Sequence, residues 1–159
     1  MGELQKSEDI LIEGIAAGKR SLSEDHLGVL MGCRELARTY SRQGRLDEAV
    51  KLIITTIEKM KIFQGSEHPD YATVMWSLGK VWEKKQEQAK AINAYQVVLE
   101  ATEKRLTTEH PLYKIISDRI ILLTEGAHSN DYKEATENGS VTNGGEDLRI
   151  KRLHNTQTW

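Results

Sequence analysis

The chain has 159 residues, 38% of them hydrophobic, and carries 22 Lys+Arg against 24 Asp+Glu for a formal charge of −2. Those totals fit one modest domain, and the near balance of charge argues against a general nucleic-acid-binding face. One cysteine excludes an intramolecular disulfide and gives no sign of an oxidising compartment.

The opening MGELQKSEDILIEG has no basic n-region followed by a long apolar run, so no signal peptide is expected. Gly2 is present, but Lys6 stands where myristoylation needs a hydroxyl, with Ser7 one place too late. No stretch is long and apolar enough to span a membrane. The expected location is the cytoplasm, with no membrane or nucleic-acid partner.

In residues 4–20, Leu4, Leu11 and Ile15 fall at helical spacing. Gly14 and Gly18 weaken that helix by roughly 1 kcal/mol each relative to alanine. Leu27 to Gln43 forms the next helix, with Leu30, Cys33, Leu36, Ala37 and Tyr40 on one side. Gly44 is placed to end it in a left-handed conformation. Leu46 to Phe63 follows, with Asp47 and Glu48 at the positive end of its dipole. Pro69 suits a first helical position and opens a helix to Lys85. The turn Lys85-Gln86-Glu87-Gln88 lacks the glycine, which predicts a looser connection into the helix Gln88–Leu106. Pro111 to Thr124 carries Ile115, Ile116, Ile120, Ile121 and Leu123. Residues 126–159 are rich in Gly, Asn, Ser, Thr and charge, a composition predicted to be disordered.

These helices repeat. The tags Glu24-Asp25-His26, Ser66-Glu67-His68 and Thr108-Glu109-His110 are spaced 42 positions apart. Between them Leu36, Leu78 and Ile120 fall in one column, as do Tyr40 and Trp82, Ala49 and Ala91, Ile53 and Tyr95, and Ile57 and Leu99. A fixed period of this size marks stacked units, each too small to bury its own apolar face. Shifted back by one period, Ile53, Ile54 and Ile57 land on Leu11, Ile12 and Ile15. The chain therefore opens with the second helix of a unit. The expected organisation is a half repeat at 4–22, repeats at 23–64 and 65–106, a half repeat at 107–125 and a tail at 126–159.

This pattern resembles the tetratricopeptide repeat family, in the 42-residue form of kinesin light chains. The resemblance rests on Met75, Leu78, Gly79, Trp82, Ala91, Tyr95 and Val98 in the second repeat. In the first repeat it rests on Cys33, Leu36, Ala37, Tyr40, Ala49, Ile53 and Thr56, and between the two on the linker Glu67-His68-Pro69-Asp70. It covers about residues 4–125. Two departures stand out. His26-Leu27-Gly28 replaces the usual proline and aspartate, and Arg34-Glu35 and Trp76-Ser77 replace the paired asparagines that often hold a ligand's backbone in the family. The resemblance implies an all-α, right-handed solenoid of about six helices whose first helices line the concave side.

On that side the spacing places a stripe of Met31, Arg34, Arg38 and Arg42, then Thr73, Trp76, Lys80 and Lys84, then Ile115, Asp118 and Leu122. Arginine forks suit carboxylates and tryptophan is a frequent binding hot spot. The stripe is therefore a candidate site for an acidic peptide. The opposing reading is a solvated charged face with Trp76 half buried.

Other motifs carry less. His26, His68 and His110 lie one per linker, too far apart for zinc, and read as helix caps. Cys33 and Trp82 sit at core columns. Gly14 to Lys19 has too few residues between its glycines for a phosphate loop and follows a helix pattern rather than a strand. Asn138-Gly139-Ser140 reads as a chance match to a glycosylation site, and Leu148 to Leu153 is a short basic, apolar run that reads equally as a docking segment or as nothing at all. The expected function is a non-enzymatic protein-binding scaffold without cofactor or metal. Two alternatives are a regulatory or oligomerising fragment that stacks on the repeat array of a nucleotide-switched sensor, and an accessory domain of an enzyme. The open half repeats favour the former and would allow self-association.

Overall fold

The computed structural model describes residues 2–137. Its six helices are α1 (Gly2–Ser21), α2 (Leu27–Arg42), α3 (Leu46–Phe63), α4 (Pro69–Lys84), α5 (Gln88–Leu106) and α6 (Pro111–Glu137). Residues up to Ala127 form one compact unit, and a second begins at His128. α6 runs past residue 125, where the sequence pattern places the start of the tail. The remaining tail, with Asn138-Gly139-Ser140 and the Leu148–Leu153 run, lies outside the described residues.

The helix starts carry the period: α2, α4 and α6 begin 42 positions apart, and so do α3 and α5. Each of α1 to α4 packs on the helix that follows it, and α2 also touches α4. The first helices of successive repeats are therefore neighbours along one side. α6 joins through Ile116 and Ile120, which are buried with Ala91, Tyr95 and Val98 of α5.

Period and packing are linked column by column. Ala37, Ala49 and Ile53 are wholly buried in repeat one, and Gly79, Ala91 and Tyr95 are buried at the same columns of repeat two. Each fully buried large side chain contributes roughly 1.5–3 kcal/mol by leaving water. The pairing is steric as well as apolar. A Cβ at Gly79 would stand 2.5 Å from the Tyr95 ring, so the tyrosine requires the glycine across from it. Gly18 plays a similar part between α1 and α2, where a Cβ would meet Val29 at 2.8 Å. The residue that weakens α1 as an isolated helix thus lets it seat on its neighbour.

The linkers are built alike. Nδ1 of His26 accepts from the Gly28 N–H at 3.1 Å, His68 from Asp70 at 3.2 Å, and His110 from Leu112 at 3.1 Å. Each histidine satisfies one of the free donors at a helix start, as the sequence spacing suggests. The inter-helix turns also match. Gly44 has φ +82 and Gln86, one period later, has φ 61. Arg45 N–H bonds Tyr40 O at 2.9 Å and Glu87 N–H bonds Trp82 O at 3.0 Å, again one period apart. The turn without glycine is therefore not looser. Gln86 takes the left-handed conformation itself.

Candidate functional site

The eight stripe residues occupy first helices α2 and α4, with Arg34, Arg38 and Arg42 one period before Trp76, Lys80 and Lys84. The structure gives them different surroundings. Met31 packs partly buried against the main core cluster. Arg34 is half buried and ion-paired to Glu35 through Nη2, while its Nε is buried with no hydrogen-bond partner. Arg38 is exposed and meets the other Glu35 oxygen at 3.2 Å. Arg42 is exposed. Arg38 and Arg42 line a groove of about 490 Å³ between α1 and α2 with Glu3, Lys6, Ile10 and Leu11.

On α4, Thr73 and Trp76 line a second cleft, of about 500 Å³. Its other walls are Val98, Ala101 and Leu106 of α5 and Leu112 of α6, with His68 and Arg105 at its edge. Trp76 is half buried, its ring 4.7 Å from that of Tyr95 and tilted by 47°. Lys80 holds its ammonium 5.6 Å from the Trp76 ring centre, within the range of a cation–π contact. Lys84 donates to the Ser41 carbonyl of α2 at 3.1 Å. It therefore ties two first helices together at the end of α2, where a cation also suits the helix dipole. The stripe is thus two separate concavities, one lined by cations and carboxylates and one apolar, with Lys80 beside the tryptophan of the second.

A half-buried network joins α4, α5 and α6 beside the apolar cleft. Arg119 of α6 grips Glu83 of α4 with both arms, Nε at 2.8 Å from Oε1, and Tyr95 of α5 donates its hydroxyl to the same carboxylate. Burial would raise the Glu83 carboxyl, but the hydrogen bonds from Arg119 and Tyr95 prevail and hold it below the usual carboxylate range. Burial, and then the Glu83 bond, push the Tyr95 hydroxyl well above the usual phenol range. This joins the third first helix to the second repeat and braces the wall that Trp76 leans on. At the other end, buried Glu8 of α1 accepts from Gln43 and Arg45, both at 2.8 Å. The bond from Arg45, followed by that from Gln43, lowers its pKa. Neither network follows from helical periodicity, because each partner comes from a different helix or turn.

Cys33 is half buried, and burial pushes its thiol above the ordinary value, which disfavours a nucleophilic thiolate. Among the described residues, no group of three His, Cys, Asp or Glu could hold a metal ion. No helix of the described residues is long and apolar enough to cross a membrane.

Paired helices repeating at a fixed period, with first helices adjacent along one side, define a helical-repeat solenoid. Residues 30–104 match the tetratricopeptide repeat family, and that stretch of the chain is built of tetratricopeptide repeats. Tetratricopeptide repeats are protein–protein interaction modules. Among solved structures, the chain is similar to a Podosopora anserina protein of kinesin-light-chain type with nearly identical TPR-like repeats. The TM-score is 0.72 at 24% identity, over 86% of this chain and 64% of that one. A singly substituted form of that protein gives 0.71 at 24% identity, over 86% and 63% of the two chains. BtubC (BKLC) from P. vanneervenii gives 0.71 at 12% identity, over 94% and 63%. At these identities the likeness shows the fold, and the chain spans just under two thirds of each structure's length. No curated protein matches the chain.

Proposed function

We propose that the chain is a non-enzymatic adaptor that holds an extended segment of a partner protein along its first helices. The observation that carries this reading is the apolar cleft of about 500 Å³ at Trp76, with Lys80 on the tryptophan ring. An apolar cleft beside a cation is shaped for one large apolar side chain next to an acidic residue. Arg38 and Arg42 extend the positive charge one repeat away. The segment expected is therefore acidic with a single apolar anchor.

The test is binding of defined fluorescent peptides in which Glu and Asp flank one Phe, Leu or Trp. Trp76→Ala should weaken binding at least tenfold, and Arg38→Glu/Lys80→Glu should both weaken it and flatten its salt dependence. Both variants must keep the helical circular dichroism of the wild type. Binding that ignores Trp76 and salt alike would remove the peptide reading. A second reading, a regulatory fragment that stacks on the repeat array of a nucleotide-switched sensor, is favoured by the exposed Ile115, Ile121 and Leu122 on α6.

A further inference from the structure

The two ends of the solenoid expose apolar residues at columns that are covered inside it. Ile121 of α6 shares its column with Ala37 and Gly79, both buried against the second helix of their own repeat. Ile121 is 50% exposed. Ile10 of α1 shares its column with Leu52, which packs against the core, and Ala94, which is buried in it. Ile10 is 69% exposed. Among the described residues, α6 is thus a first helix without a second helix on that face, and α1 a second helix without a first helix on its matching face.

The described residues after Ile121 continue α6 to Glu137 and form no second helix over it. Carried forward one period, the columns of Ala91, Tyr95 and Val98 fall on Lys133, Glu137 and Ser140. A second helix in that register would present charge and hydroxyl to Ile121. The same columns carried back fall on Ser7, Leu11 and Gly14 of α1. These are small, large and small, the alternation that fits against a first helix. Gly14 has open space where a Cβ would be, and it stands where the repeats have Thr56 and Val98. The Gly79 column faces Tyr95 inside the chain, and at the Tyr95 column α1 has the smaller Leu11, which leaves room for the extra bulk of Ile121 over Ala37 and Gly79.

We infer that α6 of one copy docks into the groove between α1 and α2 of a second copy, so that α6 and the second copy's α1 complete one split repeat. The groove of about 490 Å³ lined by Ile10, Leu11, Arg38 and Arg42 is the place a preceding first helix would occupy. Charge agrees with the register. Inside the chain, Lys84 of α4 reaches the carbonyl of Ser41 on the preceding first helix. The same relation across the junction sets Arg42 against Glu125 of the docked α6. The contact is head to tail, so it uses a different surface on each copy and can propagate. It shares Arg38 and Arg42 with the peptide reading but does not rest on it, since Trp76, the anchor of that reading, lies outside the groove.

The experiment is sedimentation velocity on the full chain from micromolar to submillimolar concentration. The variants are Ile10→Asp, Ile121→Glu and Trp76→Ala. Both isoleucines are exposed in the single copy, so their variants should keep the wild-type circular dichroism. The wild type should grow in mass beyond 18.0 kDa as concentration rises, and Trp76→Ala should do the same. Ile10→Asp and Ile121→Glu should each stay monomeric. Mixed together they should form a capped one-to-one dimer, because each retains the end that the other has lost. A wild type that stays monomeric throughout overturns the proposal. So does association indifferent to both substitutions, or variants that fail to complement each other on mixing.

Discussion

Gln86 and Gly44 occupy the same position in successive repeats and adopt the same left-handed backbone, with φ of 61 and +82. The correspondence recurs at the next linker, where Thr107 at φ 77 stands one period after Gly65 at φ +83. Both non-glycine residues with positive φ among the described residues are therefore places where the repeat geometry demands a glycine that the sequence lacks. A Cβ in this region costs roughly 1–2 kcal/mol, and a β-branched side chain makes it worse.

Replacing Gln86 with glycine should therefore raise stability, by roughly 0.5–1 kcal/mol after the greater freedom of glycine in the unfolded chain is discounted. Thr107→Gly should gain at least as much, because ψ 161 places it in a region populated almost entirely by glycine. Urea denaturation at fixed m-value is the measurement. Gly44→Ala is the converse and should lose roughly 1 kcal/mol. An unchanged or lower midpoint for Gln86→Gly would show that the turn relaxes without strain.

The histidine caps give a second test. His68→Ala removes the acceptor for the Asp70 N–H and should cost about 1 kcal/mol. His68→Asn keeps an acceptor and should recover most of that. The two variants share the loss of the imidazole, so their difference isolates the cap. Equal midpoints for His68→Ala and the wild type would reduce the repeated histidine to a linker marker.

The periodicity makes the helices, the column pairs and these caps legible, because each depends on local spacing. Contacts set by the stacking itself stay hidden from it. Spacing along α4 puts Trp76 in an open groove, and its contact with Tyr95 follows only from the placement of α5. Lys84 has the same spacing as Lys80, yet it is taken up by the Ser41 carbonyl of α2. The course of α6 beyond residue 125 escapes a reading by composition, because the residues there cannot build a core. Ala127, Lys133, Glu134 and Ala135 are nonetheless individually good helix formers. Propensity alone makes Gln86 a loose turn, whereas the matched helix on each side holds it in the left-handed conformation.

Gly79 and Tyr95 make a steric pair whose failure should be local. Gly79→Ala places a Cβ against the tyrosine ring, and overpacking of this kind costs roughly 1–3 kcal/mol. Pairing it with Tyr95→Leu restores room at the expense of the Glu83 bond. A double-mutant cycle should then show a favourable coupling, with the two changes together costing less than their sum. Strict additivity would mean that α4 and α5 separate to absorb the methyl.

The Glu83 network sets a pH dependence whose sign is determined by its geometry. The folded carboxyl ionises below the ordinary glutamate value of 4.5, because the bonds from Arg119 and Tyr95 outweigh its burial. In the unfolded chain it returns to that ordinary value. Between the two the unfolded state binds more protons, so stability rises with pH across that window. The contribution is whole at neutral pH and is lost as pH falls through the folded value. Glu8 and Glu48, both lowered chiefly by Arg45, act in the same direction. Glu83→Gln should therefore destabilise the chain at pH 7 by roughly 1–2 kcal/mol, less than the about 1.5–3 kcal/mol of a hydrogen bond to a charged group, because Arg119 is half exposed and its pairing is screened by water. It should cost progressively less below pH 4.5, where the unfolded chain takes up the proton before the folded carboxylate does. Thermal melts of both proteins from pH 7 downward should converge. Parallel melting curves across that range would mean that Glu83 is held by packing alone and that its charge contributes nothing to anchoring α6.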